Sequence, residues 1–411
     1  MSLSFDQKLQ NYAELVVKAG LNLQPGQRLI IRAGVESALL VRRVAESAYR
    51  AGSRLVDVMW NDDAVTLARF KYAPRDSFEE FPTWQAQGLQ EAVERGDALL
   101  SIYATDPDLL KGQDPELIAL TERTRQTHLR PFYKRIMNDE INWCVIAFSL
   151  PAWAARVFPQ DAPAGQVDKL WEAIFAACRA DRPDPVATWQ EQTRQLAARR
   201  DYLNAKQYVA LRYSAPGTDF SVGLPENHQW EAGQKETLSG IPFIPNIPTE
   251  EIFTMPHKDR AEGVLSSSKP LSYGGVLIEK FSLTFVDGRV VKVTAEKGED
   301  ILQRLIDTDE GSARLGEVAL VPQSSPIARS GLLFYNTLFD ENASNHVALG
   351  RAYRFCLKNG AEMSDQEFAA AGGNDSLVHV DFMIGSDQMD VDGITSSGAT
   401  EPVMRAGEWA L

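Results

Sequence analysis

RLIIRAGVESALLVRRVAESAYRAGSRLVDVMW, residues 28–60, reads as strand, helix and strand in one run. Residues 28–34 are apolar without alternation, as in strands covered on both faces. Ser37–Ala51 places Ala38, Val41, Ala45 and Ala48 on one helical face, and Gly52 closes it. SRLVDVMW (53–60) is the next strand. A helix over 5–19 precedes this unit, and the unit repeats after it. A helix near Thr83–Arg95 leads into DALLSIYA (97–104), and one over 115–137 leads into INWCVIAFS (141–149). Strands alternating with helices of this length imply right-handed crossovers and a mostly parallel sheet. The N-terminal domain is therefore expected to be α/β.

Sheets of this kind often hold nucleotides, but no GxGxxG follows a strand and no GxxxxGK[ST] occurs anywhere. Asp106-Pro107-Asp108 follows the third strand, where open α/β sheets bind ligands. So short a run reads first as a turn with helix-capping acids. His128 falls on a polar helical face. The first half carries architecture and no chemistry.

The texture changes after the proline-rich break at Ala180–Pro185 and a charged helix over 186–206. YVALRYSAPGTDFSVGLP (208–225) alternates around a Pro-Gly turn and reads as a hairpin. Further strands are expected in GGVLIEKFSLTFVDGRVVKVTAEKG (274–298), GEVALV (316–321) and LVHVDFMIG (377–385), with helices at 297–309 and around 345–353. The division is an α/β N-terminal domain with a mostly parallel sheet (1–200) and an α+β C-terminal domain with a largely antiparallel sheet (201–411).

Composition sets the class. A chain of 411 residues suits two domains, and 44% hydrophobic with 24% charged residues is ordinary for a globular protein. The 56 acidic against 42 basic residues give a net charge of -14, which disfavours nucleic acid and anionic membranes. Cys144, Cys178 and Cys356 form no CxxC pair, so neither a disulfide framework nor a thiolate zinc site is expected. No basic leader precedes an apolar run, and no apolar stretch approaches the ~18 residues of a membrane span. A cytoplasmic location is expected, and Asn342-Ala343-Ser344 is a glycosylation sequon in form only.

The chemistry concentrates between Glu317 and Asp381, with two of the five histidines in that stretch. In His379-Val380-Asp381 the first and third residues share a strand face, a two-ligand platform. An isolated HxD is more often a surface pair, but Leu377, Val378, Phe382, Met383 and Ile384 around it argue for burial. His346 opens a helix-like stretch with Tyr353 seven residues on, and alone it reads as a core or capping histidine. Glu317 enters the apolar strand GEVALV, and buried acids need a partner or a metal. Upstream, Pro245, Pro248 and Pro256 hold an extended segment around Glu250 and Glu251, which point oppositely and so have different roles. Without the other pieces this is a charged loop. Together, Glu251, Glu317, His346, His379 and Asp381 offer three carboxylates and two imidazoles, a set suited to Zn, Co or Mn. Two divalent ions (+4) against three carboxylates (-3) leave positive charge to acidify water, so two ions are expected.

PTEEIFTMP, LGEVALVP, NHVALGRAY and HVDFMIG, in this order and spacing, resemble the aminopeptidase T/aminopeptidase S family of two-metal exopeptidases (peptidase family M29). The likeness runs through to the closing PVMRAGEW. It implies a metallo-aminopeptidase that hydrolyses the N-terminal residue from peptides with a metal-bound hydroxide, using two divalent ions (Zn, Co or Mg/Mn). It also implies a homodimer. The resemblance places metal ligands at Glu251, Glu317, His346, His379 and Asp381 and sets Tyr353 beside them. Glu250 and Glu251 remain alternatives for the ligand, with the spacing to Glu317 favouring Glu251. The other of the pair, Glu250, is expected to act as general base, and Tyr353 to donate to the developing oxyanion, worth ~3 kcal/mol. His257 takes no role. The alternatives are a non-catalytic metal-binding protein and another two-metal amidohydrolase. A phosphoesterase would want a cationic clamp, and only Arg351, Arg354 and scattered lysines stand near the motifs.

Overall fold

A computed structural model describes residues 3–104, 106, 108–273 and 276–411, so Pro107 and Gly274-Gly275 of the segments above lie outside the described residues. The chain forms two compact units. One comprises Met1–Gln192 and Gln234–Pro248, the other Thr193–Gly233 and Thr249–Leu411. The division falls inside the helix Pro185–Lys206.

In the first unit β1 (Arg28–Gly34), β2 (Leu55–Asn61), β3 (Ala98–Tyr103) and β4 (Trp143–Ala147) form a parallel sheet in the order β2-β1-β3-β4. The first helix, Phe5–Leu15, starts where Ser4 and Gln7 cap each other's backbone, and it buries Leu9, Tyr12, Ala13 and Leu15. Helices Ala38–Arg50, Thr83–Arg95 and Pro115–Met137 stand at the expected places. Helices Asp63–Tyr72, Pro151–Val157 and Pro163–Ala177 are additions the periodicity did not announce. Asp63–Tyr72 buries no residue completely, which explains its weak apolar pattern. His128 is exposed and stacks on Phe81 with ring centroids 4.9 Å apart.

The second unit has an eight-stranded antiparallel sheet drawn from residues 210–409 and a five-stranded sheet that carries the site. The latter contains β5 (Glu231–Ala232), β6 (Ile252–Thr254), β7 (Leu315–Leu320), β8 (His346–Gly350) and β9 (His379–Met383), in the order β9-β8-β7-β6-β5 with every pairing antiparallel. One face of this sheet sends Ile252, Val318, Leu320, Val347, Leu349 and Phe382 into a core shared with Leu211, Phe220, Leu283 and Val391 of the larger sheet. Fold class thus agrees with the sequence reading: a parallel N-terminal sheet and antiparallel C-terminal sheets.

One expected element is different. Residues 345–353 do not form a helix; His346–Gly350 is β8, and Arg351–Tyr353 is irregular. Every residue of HVALG is buried, so the run shows neither a 3.6-residue nor a two-residue period. Periodicity alone cannot separate such a buried strand from a helix turn. Tyr353 therefore does not reach His346 by two helical turns.

Pairing fixes which side chains meet. Glu317 lies opposite Ala348, and Ala348 opposite Asp381. Two residues along, Phe253, Ala319, His346 and Met383 form the next row on that face, while His379 opposes Gly350 on the other side. Side chains alternate along strands, so Glu317, His346, His379 and Asp381 all project from the face opposite the core. Continuing the same alternation back from Phe253 puts Glu251 on that face and Glu250 on the other. A bulge between Leu315 and Glu317 makes this possible. It inserts Gly316, so Leu315 enters the core while Glu317 points away from it. A Cβ on Gly316 would lie 2.4 Å from the carbonyl oxygens of Gly350 and Arg351, which leaves glycine as the residue that fits.

Candidate metal centre

The five side chains placed on one face converge. His346 Nε2 lies 3.2 Å from Glu251 Oε2 and 3.5 Å from Glu317 Oε1. His379 Nε2 lies 3.7 Å from Glu317 Oε2 and 3.5 Å from Asp381 Oδ1. Two sets result, Glu251-Glu317-His346 and Glu317-His379-Asp381, each with its donor atoms within 4.8 Å of one another. Glu317 belongs to both and gives one oxygen to each.

The imidazole tautomers follow from their outer contacts. His346 Nδ1 is 3.1 Å from the Ser344 carbonyl, and His379 Nδ1 is 2.7 Å from the Arg351 carbonyl. A carbonyl only accepts, so each Nδ1 carries a proton and each neutral ring turns the lone pair of Nε2 inward. Lone pairs then face carboxylate oxygens, acceptor against acceptor. Consistently, His346 Nε2 and Asp381 Oδ1 are buried without an aligned hydrogen bond; the short approaches are contacts of distance, not of direction. A cation between the groups resolves both clusters, and nitrogen-oxygen donors without thiolate match a borderline divalent ion. The residues present fit a metal.

Without a cation, protons must serve. Burial opposes protonating His379, but the Asp381 carboxylate 3.5 Å away, joined by Glu317, pushes its pKa up to about 9. His346 is likewise raised despite burial, by Glu251 and then Glu317. Burial lifts Glu317, with Asp381 and Glu251 adding to it against the pull of the histidines. Burial acts upward on Asp381 as well, yet His379 holds it below its usual value. A histidine near 6.5 when unfolded and near 9 when folded stabilises the fold fully below pH ~6.5 and loses that contribution as pH climbs through 9. The metal-free protein should therefore melt at progressively lower temperature from about pH 6.5 to 9, while metal-loaded protein, its Nε2 atoms already coordinated, should not. Calorimetry of the two forms across that window checks it; a flat metal-free profile would contradict the clustered charge.

Around the clusters stand further groups. The Tyr353 ring lies 4.8 Å from the His379 ring and stacks on Phe355 at 5.1 Å. Burial, then the charges of Glu317, Asp381 and Glu341, keep its hydroxyl protonated well above its ordinary range, so it is a donor. Glu250 is 3% exposed, its backbone N–H donates to Asn342 Oδ1 at 2.6 Å, and its charge is felt by Arg199. Asn342 is wholly buried, which seals the sequon noted above. His257 borders a separate pocket beside Arg260 and Lys358.

Glu341 is the residue the sequence reading passed over. It stands outside the two close sets, yet its carboxyl is pushed far up, by burial first and then by Glu251 and Asp381. It occupies a short 3-10 turn, Glu341–Ala343, just after the helix Thr337–Asp340. No strand or helix period marks such a turn. The available signal was its place five residues before His346, in a chain segment that must run beside β8.

Comparison with known proteins adds independent findings. The family model described as thermophilic metalloprotease (M29) matches residues 5–409. Aminopeptidase 2 of Geobacillus stearothermophilus is 50% identical over 407 residues, spanning 99% of this chain and 98% of that one. Aminopeptidase AmpS of Bacillus subtilis (strain 168) is 46% identical over 408 residues, spanning 99% and 100%. Among solved structures, wild-type AmpT from Thermus thermophilus superposes with a TM-score of 0.93 at 43% identity, over 99% of this chain and 100% of that one.

Proposed function

The chain belongs to the M29 metalloproteases and is a metal-dependent aminopeptidase, and from that premise we propose that it removes the N-terminal residue of peptides at a two-metal site held by Glu251, Glu317, His346, His379 and Asp381. The observation that carries the reading is the division of Glu317, with one oxygen toward His346 and the other toward His379. Zn, Co or Mg/Mn suits the donor set. Glu341 stands beside this set without belonging to either close trio, and burial with the charges of Glu251 and Asp381 pushes its carboxyl up.

When bound, such ions supply Lewis-acid activation of water and of the scissile carbonyl. The chain's own residues do the rest. Ser344 and Arg351 carbonyls hold the imidazoles in the tautomer that turns Nε2 inward. Tyr353 donates its hydroxyl proton in a hydrogen bond to the carbonyl oxygen as charge develops there. Glu250, fixed through its backbone by Asn342, takes the proton from the attacking water and returns it to the leaving amine. Glu341 is the second reading for that proton, favoured by its raised carboxyl pKa beside Glu251 and Asp381.

Substrates are peptides with a free N-terminus. Assembly as a homodimer belongs to the same proposal and rests on the family likeness. Three free buried cysteines fit a cytoplasmic setting, and among the described residues no helix is long and apolar enough to cross a membrane.

Hydrolysis of leucyl- and arginyl-anilide tests the reading, measured after exhaustive chelation and again after adding cobalt or zinc. Activity is expected to vanish and return. Metal uptake without cleavage of either anilide would point to a binding protein, and activity indifferent to chelation would reject the metal site.

A further inference from the structure

Asn374 stands outside both donor sets, in the run Gly-Gly-Asn-Asp (372–375) that precedes β9. It is 3% exposed, and its Nδ2 donates to the Gly311 carbonyl at 2.8 Å and to the Gly350 carbonyl at 2.6 Å. Both partners only accept, so the amide nitrogen rather than the amide oxygen faces them. The backbone carbonyl of Asn374 accepts from the Ala352 N–H at 2.9 Å. One residue thus grips the chain on both sides of Arg351.

That turn matters because the Arg351 carbonyl holds His379 Nδ1. Arg351 is exposed and lies just past the end of β8, where no strand ladder fixes the direction of its carbonyl. Gly350 makes the bend with φ +104, and a Cβ there would lie 2.1 Å from the Val378 carbonyl oxygen. The Gly350 N–H donates to the Arg314 carbonyl at 2.8 Å, and the Arg351 N–H to the Val378 carbonyl at 2.7 Å. The buried carbonyl of Gly350 is left to Asn374, and a buried acceptor without its donor is costly. His346 is held differently. Its Nδ1 faces the Ser344 carbonyl, at the opposite end of β8 from the bonds of Asn374.

We propose that Asn374 is a positioning residue for the metal centre, which fixes the Arg351 carbonyl and through it the ring of His379, and leaves His346 untouched. The inference rests on the two-metal reading and deepens it by adding a residue that sets the direction of one ligand. Outer partners of a metal-bound histidine are worth about 10- to 100-fold in affinity, and Asn374 acts one bond further out, so a loss of about tenfold is expected.

Cobalt(II) binding to the purified chain tests this, with melting temperature as the control for folding. In N374A one of the two ions should bind about tenfold more weakly while the other keeps its affinity. N374S, which retains a short hydroxyl donor, should lose less. In the cobalt-loaded protein the ring N–H protons of His346 and His379 give exchangeable signals shifted by the ion. The His379 signal, assigned by its absence in H379Q, should exchange faster in N374A, and the His346 signal should not. N204A controls for the loss of a buried amide as such, since Asn204 brackets Trp230 through Nδ2 to its carbonyl at 3.0 Å and Oδ1 from its N–H at 2.8 Å. Its melting temperature should fall with cobalt binding unchanged. A folded N374A protein with both affinities and the His379 signal as in the wild type overturns the proposal. So do equal losses at both ions, an N204A variant that weakens cobalt as much as N374A, or collapse of both Asn374 variants, each of which makes Asn374 a residue of the fold alone. Wild type that takes up no cobalt, or a single ion, would defeat the two-metal reading instead.

Discussion

Glu317→Ala should lower aminopeptidase activity ~100- to 1,000-fold, the scale seen when a principal electrostatic element of an active site is removed. The protein should also bind fewer metal ions, losing affinity at both positions rather than one. The reason is geometric. Glu317 Oε1 approaches His346 and Oε2 approaches His379, so no other residue in the two close sets serves both. Removing an outer ligand such as Asp381 leaves the other trio whole; removing Glu317 reduces both. The fold should survive, because Glu317 projects from the face opposite the apolar core. Circular dichroism and elemental analysis of the purified variant provide the check. An E317A protein that keeps two ions and a tenth of wild-type turnover would sink the shared-carboxylate site.

The second large effect separates two neighbours. Glu251→Gln should lose metal and activity together, since Glu251 Oε2 lies 3.2 Å from His346 Nε2 and an amide is a far poorer ligand. Glu250→Gln should keep its metal content, because strand alternation turns Glu250 to the other side of the chain. Its turnover should nonetheless fall 10²–10⁴-fold if it carries the proton. Full activity in E250Q, with a loss of that size in Glu341→Gln at unchanged metal content, would transfer the proton to Glu341. Metal loss in E250Q with retention in E251Q would reverse the ligand assignment.

Much of this was legible in the chain. The parallel sheet followed from strands and helices alternating over residues 28–149, because each element there has a strong local period. His379 and Asp381 could be placed on one face from their spacing alone. What the spacing could not supply was register. Whether Glu317 faces core or site depends on the Gly316 bulge, and a bulge is a relation between two strands. His346 was assigned to a helix because a fully buried five-residue strand has no period to read. Glu341 was missed because a single 3-10 turn leaves no pattern, and its significance comes from three-dimensional proximity to carboxylates far away in sequence.

The order of strands has a kinetic meaning. Glu317 and His346 belong to β7 and β8, which are bonded on both sides, whereas His379 and Asp381 belong to β9, bonded on one. Edge strands open locally at lower free energy than central ones. The centre is thus half anchored and half compliant, and under the proposed two-metal reading the ions should differ in residence time, the one at β9 exchanging with solvent faster. Dilution or mild chelation would then remove one ion well before the other, so a purified sample could carry a full complement of folded protein and only part of its catalytic capacity.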